Sequence, residues 1–185
     1  MKKALLIVDL QNDFLPGGAL PAPQGDRVIP VINRLQDHFD MIIASRDWHP
    51  EDTIHFEKWP VHCVQGSFGA SFPAALKTDR ITAYLLKGTR NTDDGYSAFE
   101  ATNIPLETFL KEKGIEEVVV CGLTTEYCVR NTVMDALKAG FKTRVIKDAV
   151  AAVKAFPGEE EKAWKEMAAA GALITTHEAI AGEKK

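Results

Sequence analysis

The chain has 185 residues, of which 45% are hydrophobic and 26% charged, so it is long enough for one domain with a sizeable apolar core. Its formal net charge of -4 gives no electrostatic reason to expect binding to nucleic acid or to an anionic membrane. No apolar run approaches the roughly 20 residues that cross a bilayer. The apolar run near the start ends at Asp9, too early for a signal peptide. We therefore expect one cytoplasmic domain over residues 1–185, without a nucleic-acid or membrane partner.

Short apolar runs alternate with helical patterns along the chain. The predicted strands are residues 4–8, 41–45, 83–86, 117–121, 143–146 and 172–175. The predicted helices are residues 28–37, 105–113, 126–139 and 159–170. Several of the strands are almost wholly apolar, which is typical of strands buried on both faces. The alternation predicts an α/β fold, a three-layer αβα domain around a mainly parallel sheet of about six strands.

Polar residues follow four of these strands in turn. Asp9 follows the first strand, Asp47 and His49 follow the second, Lys87 follows the third, and Cys128 lies just past the fourth. Ligands of open parallel sheets bind beside the carboxyl ends of the strands. We therefore expect all of these side chains to meet at one edge of the sheet.

Two long connections, residues 48–72 and 88–103, are too irregular for plain turns. Both carry proline or glycine with aspartate, asparagine and interspersed aromatic residues. Long ordered loops in a compact domain are usually functional. We expect these two loops to contribute to the same site.

The three cysteines are Cys63, Cys121 and Cys128, and no pair has the spacing of a Cys-x-x-Cys motif. An odd number of cysteines without that spacing argues against a disulfide framework and favours reduced thiols. Cys121 lies inside an apolar strand and is expected to be inert. Cys63 directly follows a candidate metal ligand, so it either packs, which we favour, or supports the ligand.

Cys128 is a candidate nucleophile because it lies where the fourth strand gives way to a helix, near Thr125 or Glu126. A thiol in a first helical turn feels the positive end of the helix dipole, which favours the thiolate. Free backbone N–H groups of that turn can stabilise a developing oxyanion. The alternative is a small, inert core residue.

Asp9 and Lys87 have a role if Cys128 is catalytic. An aspartate beside the thiol can take its proton and later pass that proton to a leaving amine. Lys87 would hold Asp9 ionised and favour the thiolate. The alternatives are a capping aspartate and a solvated surface lysine.

Three of the five histidines fall within fourteen residues, and a carboxylate precedes the first by two positions. The candidate metal ligands are Asp47, His49, His55 and His62. One carboxylate with two or three imidazoles suits one divalent ion, namely zinc, iron or manganese. A closed structural site, an open site that binds substrate or water, and no metal at all remain alternatives.

Together these residues resemble the cysteine hydrolases of the isochorismatase-like superfamily, and within it the nicotinamidases. The resemblance spans residues 6–149 and rests on four segments. They are VDLQNDF at 8–14, Lys87 with Gly88, GLTTEYCV at 122–129, and the histidine cluster with WPVHCV at 59–64. The cluster is what nicotinamidases have and many relatives lack.

The resemblance implies that Asp9, Lys87 and Cys128 are catalytic and that the four candidate ligands hold the metal. It also implies a cis peptide bond before Thr124 and an oxyanion hole formed by the backbone N–H groups of Thr124 and Cys128. The cis bond and the assignment of the oxyanion hole to these two residues come from the family's pattern rather than from the spacing of residues in this chain.

The resemblance further implies that the metal binds the substrate's ring nitrogen and that aromatic residues sandwich the ring. Phe14, Trp59 and Tyr96 match those positions, with core packing as the alternative for each. Residues 87–97 are more polar and longer than the family's pattern, so Tyr96 is matched through the run YSAF at 96–99.

The implied activity is hydrolysis of nicotinamide to nicotinate and ammonia through a thioester on Cys128, with pyrazinamide as a further substrate and a role in NAD salvage. The expected partner is thus a small aromatic amide, and a homo-oligomer is left open. The alternatives are another small-amide hydrolase of the superfamily, and a non-catalytic metal-binding or thiol redox protein. An isochorismatase-type hydrolase would not need the histidine cluster, and the redox protein would leave Asp9 and Lys87 without a role.

Overall fold

The computed structural model, which describes residues 1–183, has one six-stranded sheet with helices on both faces. The strands are β1 (Lys3–Val8), β2 (Met41–Asp47), β3 (Ala83–Lys87), β4 (Glu117–Leu123), β5 (Lys142–Ala151) and β6 (Leu173–Thr175). The helices are α1 (Val28–Leu35), α2 (Leu106–Glu112), α3 (Arg130–Lys138), α4 (Glu159–Ala169) and α5 (His177–Ala181). None of these helices has both the length and the apolar character needed to cross a membrane.

The strands lie in the order β3-β2-β1-β4-β5-β6, and every neighbouring pair is parallel. The chain builds outward from β1 to β3, then returns to place β4 on the other side of β1. The order therefore reverses between β1 and β4, which is where sheets of this kind bind ligands. The predicted α/β class is confirmed, and the sheet is parallel throughout.

Both faces of the sheet carry an apolar core because successive side chains of a strand point to opposite sides. Helices α1 and α5 cover one face, and α2, α3 and α4 cover the other. The first core includes Leu5, Ile7, Ile32, Leu35 and Ile180. The second core includes Leu6, Val8, Leu110, Val133 and Met167. This double coverage explains why the central strands are nearly all apolar.

All six predicted strands and all four predicted helices are present, with two differences of substance. β5 is longer than the predicted 143–146, and its register against β4 shifts between Val120 and Gly122. The helix predicted at 126–139 begins as a π-helical turn, Thr125–Val129, before α3. Helix α5 was missed because five residues are too few to show a helical period. The single domain predicted over 1–185 stays a prediction, and residues 184–185 lie outside the described part.

The close approach of β4 to β1 requires a glycine at position 122. Gly122 has φ +112°, a region that L side chains rarely adopt. A Cβ atom there would lie 2.1 Å from the backbone oxygen of Val8 and 2.6 Å from its backbone nitrogen. Those atoms cannot move without displacing β1, whose next residue is Asp9. Gly122 therefore keeps the ends of the two central strands side by side.

Replacing Gly122 with Ala is expected to lower the free energy of unfolding by about 3 kcal/mol or more, because a steric clash adds to the backbone penalty. Gly140→Ala is the matched control. Gly140 has φ +91°, and a Cβ atom added there would meet no described atom within 4 Å. Only the backbone penalty of about 1–2 kcal/mol then applies. Urea denaturation measures both losses, and equal values would contradict a steric constraint from β1.

Candidate active site

The three predicted catalytic residues meet at the carboxyl edge of the sheet. Asp9 directly follows β1, Lys87 ends β3, and Cys128 lies in the π-helical turn after β4. Nζ of Lys87 lies 2.7 Å from Oδ2 of Asp9 and 3.4 Å from Sγ of Cys128. All three residues are buried, and Asp9 and Lys87 have no exposed surface. The structure thus joins a thiol, a carboxyl group and an ammonium in one cluster.

Hydrogen bonds from β2 hold Asp9, whose backbone has φ +46°. Its N–H donates to the backbone oxygen of Ser45 at 3.1 Å, and Oγ of Ser45 donates to Oδ1 of Asp9 at 2.7 Å. The other carboxyl oxygen is left to face Lys87. Sequence reasoning missed Ser45, although a buried serine in an otherwise apolar run is the signal that points to it.

Lys87 also contacts the metal-ligand cluster. Its Nζ donates to Oδ1 of Asp47 and to the backbone oxygen of Gly95. Although burial lowers the pKa of the Lys87 ammonium, Asp47 and Asp9 raise it well above its usual value. The ammonium therefore stays charged between two carboxyl groups, which satisfies a cation that would be costly to bury alone.

The surroundings of Cys128 favour its neutral thiol form. Burial raises the pKa of the Cys128 thiol well above its usual range, and Lys87 opposes that shift without overcoming it. Burial also raises the pKa of Asp9, again against the effect of Lys87. The helix dipole was expected to favour the thiolate. Burial and the nearby carboxyl groups outweigh that effect of the dipole. A protonated thiol instead lies beside a carboxylate with increased proton affinity.

The four predicted metal ligands converge as well. Nε2 of His49 and Nε2 of His62 lie 3.4 Å and 3.6 Å from Oδ2 of Asp47. Ligand nitrogens of His49, His55 and His62 all lie within 4.8 Å of one another. Asp47 ends β2, and His55 lies in a 3-10 turn, Ile54–Glu57. All four side chains are buried, so this part of the sequence prediction describes one spatial group.

The outer ring nitrogens show which atoms face the centre of this group. Each Nδ1 is hydrogen-bonded to an oxygen acceptor: Gly88 O for His49 (2.9 Å), Pro60 O for His62 (2.6 Å) and Asp93 Oδ1 for His55 (2.9 Å). Asp93 is ionised and can only accept, because hydrogen bonds, chiefly from Tyr96, lower its pKa to about 2. Each Nδ1 therefore carries a proton, which leaves Nε2 of each ring as the atom that can offer a lone pair to the centre.

This donor set fits a divalent cation. Nε2 of His49 is buried without a hydrogen-bond partner among the described residues. Lone pairs aimed at a carboxylate oxygen are unfavourable unless a cation lies between them, and hydrogen-bonded outer nitrogens are typical of metal-binding histidines. Burial raises the pKa of Asp47, but the Lys87 ammonium holds it well below its usual range. Asp47 is therefore an anionic ligand.

A pocket opens between the thiol and the histidine group. It is narrow, with a volume of about 30 Å³, and it is partly open to solvent. Asp47, His55 and His62 line it together with Thr124 and Cys128. Of the two metal-site interpretations left open by the sequence, this geometry favours the open site.

The three aromatic residues implied by the resemblance all line this pocket. The Phe14 ring lies 5.5 Å from the His62 ring, and Nε1 of Trp59 donates to the Tyr96 hydroxyl at 3.0 Å. Phe14 also packs in the first core, as the alternative interpretation expected, and its contact with substrate stays a prediction. Sequence reasoning missed Leu20, Tyr127 and Val153 as further lining residues. Tyr127 directly precedes Cys128 in the sequence, and Val153 lies just after the end of β5. These positions were the signals that could have identified them.

The peptide bond between Leu123 and Thr124 is cis, as the resemblance implied. Thr124 lies beside Cys128 in the pocket lining, at the start of the π-helical turn. The oxyanion hole assigned to the backbone N–H groups of Thr124 and Cys128 stays a prediction.

The other cysteines have the inert surroundings expected of them. Cys63 and Cys121 are fully buried, and burial raises the pKa of both thiols. All three cysteines are free. Cys63 belongs to the first core, where its Sγ lies 4.0 Å from the backbone oxygen of Gly69, so the packed interpretation is confirmed.

Comparison with known proteins agrees with this geometry. The family model described as the isochorismatase domain matches residues 3–179. The chain belongs to the isochorismatase family. The nicotinamidase of Escherichia coli strain K12 is 40% identical to this family member, over 94% of both chains. The resemblance inferred from the motifs is therefore confirmed for the family and for its nicotinamidase relatives.

Solved structures of relatives superpose closely on this isochorismatase-family chain. The pyrazinamidase of Pyrococcus horikoshii, solved in complex with zinc, is 41% identical, with a TM-score of 0.85 over 95% of this chain and 99% of that one. PnC1 from L. infantum, solved in complex with nicotinate, is 37% identical, with a TM-score of 0.90 over 96% of this chain and 94% of that one. The fold match therefore extends over nearly the whole chain.

Replacing Lys87 with Met is expected to lower the free energy of unfolding of the metal-free protein by about 3–5 kcal/mol, because Asp9 and Asp47 lose their cation. Lys111→Met is the matched control, since Lys111 pairs with Glu107 on the surface. That exposed pair contributes about 0.5 kcal/mol or less. Denaturant titration after chelation compares the two variants, and similar losses would contradict a structural role for the buried ammonium.

Proposed function

We propose that this protein hydrolyses nicotinamide to nicotinate and ammonia through a thioester on Cys128. One observation carries the proposal: the thiol cluster and the cation-binding group open onto the same aromatic-lined pocket. An aromatic amide with a ring nitrogen meets both groups at once, its ring nitrogen towards the histidines and its amide carbon towards Sγ. Relatives named nicotinamidase and pyrazinamidase support the assignment.

The first half of the reaction transfers the acyl group to the thiol. Asp9 takes the proton of Cys128, and Sγ forms a bond to the amide carbon. Backbone N–H groups of Thr124 and Cys128 stabilise the oxyanion that develops on the amide oxygen. Protonated Asp9 then gives its proton to the leaving nitrogen, the C–N bond breaks, and ammonia departs. A thioester remains on Cys128.

The second half releases the acid. Asp9 takes a proton from water as the water oxygen bonds to the thioester carbon, and the C–S bond then breaks. Protonated Asp9 returns that proton to the sulfur, and the acid leaves as nicotinate after losing its own proton to solvent. Lys87 stays protonated throughout because two carboxyl groups flank it, so it offsets negative charge on sulfur and on Asp9 without exchanging protons.

The residues that would hold one divalent ion are Asp47, His49, His55 and His62. Zinc, iron and manganese all suit this donor set. When bound, the ion would act as a Lewis acid that binds the ring nitrogen and withdraws electron density from the ring. Phe14, Trp59 and Tyr96 orient the ring so that its amide faces Cys128.

Pyrazinamide carries the same relation of ring nitrogen to amide, so we expect it to be a second substrate. Production of nicotinate is the step by which the protein would serve NAD salvage. The cytoplasmic location stays a prediction, and a homo-oligomer stays open.

Purified protein is expected to release ammonia from nicotinamide, to lose this activity on chelation, and to regain it when one of zinc, iron or manganese is returned. The physical reason is that ring binding depends on the cation. Ammonia production by a coupled assay measures each state. No release with any of the three metals would sink the nicotinamidase proposal and direct attention to other small amides.

Replacing Cys128 with Ala is expected to reduce turnover by at least about a thousandfold, since no other group forms the thioester. Metal content should remain that of the unsubstituted protein, because Cys128 is not among the four proposed ligands. Cys121→Ala is the thiol control, since Cys121 is buried inside β4, and it should keep turnover. Loss of metal from the Cys128 variant, measured by elemental analysis, would argue against separate thiol and metal sites.

A further inference from the structure

Asp93 connects a metal ligand with the aromatic wall of the pocket, although it belongs to neither. Its Oδ1 accepts hydrogen bonds from Nδ1 of His55 at 2.9 Å and from the Tyr96 hydroxyl. Its Oδ2 accepts from Nζ of Lys58 at 2.9 Å. The Tyr96 hydroxyl in turn accepts from Nε1 of Trp59 at 3.0 Å. The Asp93 carboxylate therefore orients the ring of the His55 ligand. Through the Tyr96 hydroxyl it also orients two aromatic side chains of the pocket, Tyr96 and Trp59.

Further contacts join the same two loops beside Asp93. The backbone N–H of Ile54 donates to Oδ1 of Asn91 at 2.7 Å, and Oγ1 of Thr53 donates to the backbone oxygen of Arg90 at 3.3 Å. The 3-10 turn that carries His55 is thus fastened along one side to residues 90–93.

His55 differs from the other two histidines in the nature of its outer partner. His49 and His62 are oriented by backbone oxygens, which no single substitution removes. His55 is oriented by a side-chain carboxylate from the other loop. A carboxylate on Nδ1 fixes the ring orientation and raises the basicity of Nε2, and such partners typically change metal affinity 10–100-fold.

We propose that Asp93 is a positioning residue that sets the His55 ligand and the Tyr96–Trp59 wall together, so that metal affinity and ring binding depend on one carboxylate. The ring-binding half rests on the proposed nicotinamidase function, whereas the metal half is independent of it. Asp93 touches neither the thiol cluster nor its proton path, so the chemical step itself is expected to change less than binding.

The test compares Asp93→Ala and the nearly isosteric Asp93→Asn with the unsubstituted protein. Competition with a chromophoric chelator gives the Kd for Zn²⁺ of the metal-free protein. We expect the Ala variant to bind Zn²⁺ at least about tenfold more weakly, and the Asn variant to fall between, because its amide oxygen still accepts without the charge. At saturating Zn²⁺, KM for nicotinamide should rise severalfold with a smaller change in kcat.

Two further variants separate the arms of the network. Tyr96→Phe removes the hydroxyl but keeps the bond between His55 and Asp93, so KM should rise while the Kd for Zn²⁺ stays within about twofold. Asp94→Asn is the matched control, with the same change of charge in the same loop. Oδ1 of Asp94 has no hydrogen-bond partner within residues 1–183, and this variant should alter neither constant.

Unchanged Kd and unchanged KM in both Asp93 variants, at a melting temperature equal to that of the unsubstituted protein, would overturn the proposal. An equal effect from Asp94→Asn would also overturn it, since the cause would then be loop charge. If the unsubstituted protein releases no ammonia, the nicotinamidase proposal fails by itself. A tenfold weaker Kd for Zn²⁺ in Asp93→Ala would still support the metal half.

Discussion

A buried ammonium between two carboxyl groups is the interaction on which the rest of the site depends. Asp9, Asp47 and Lys87 come from the ends of β1, β2 and β3, which are neighbours in the sheet. Asp47 and Lys87 are direct partners in the register of β2 and β3. Two carboxyl groups at this depth need a cation, and Lys87 supplies it from the adjacent strand. The same contact joins the nucleophile cluster to the metal ligands.

Burial explains why the nucleophile waits in its neutral form. The cluster already holds two carboxyl groups and one ammonium in a largely desolvated position, so a further anion on sulfur is disfavoured. A base that touches the same ammonium is then the natural acceptor for the thiol proton. In this arrangement the sulfur becomes nucleophilic only when its proton passes to Asp9. This property follows from desolvation rather than from the helix dipole.

The sheet and the loops contribute different parts of the pocket. Strand ends and the turn after β4 supply the thiol cluster and Asp47, whose positions follow from sheet register. The two long loops supply the histidines after β2, Trp59 and Tyr96, and polar contacts between the loops hold them together. The chemical groups are thus placed by the sheet, whereas the shape that selects the ring is placed mainly by contacts between loops.

Hydrophobic periodicity and residue order alone determined the fold class, the presence of the six strands and the chemical groups near their carboxyl ends. Apolar strands indicate their own burial, and the carboxyl ends of parallel strands share one edge, so Asp9, Lys87 and Cys128 were predictable together. Tertiary structure alone decided that Lys87 contacts Asp47, that Ser45 holds Asp9, and that Asp93 reaches His55 across 38 positions of sequence. It also decided that burial raises the pKa of the Cys128 thiol. The reason is that the path of a loop and the desolvation of a side chain depend on packing between distant parts of the chain. Neither produces a repeating pattern of residues that could be recognised in the sequence.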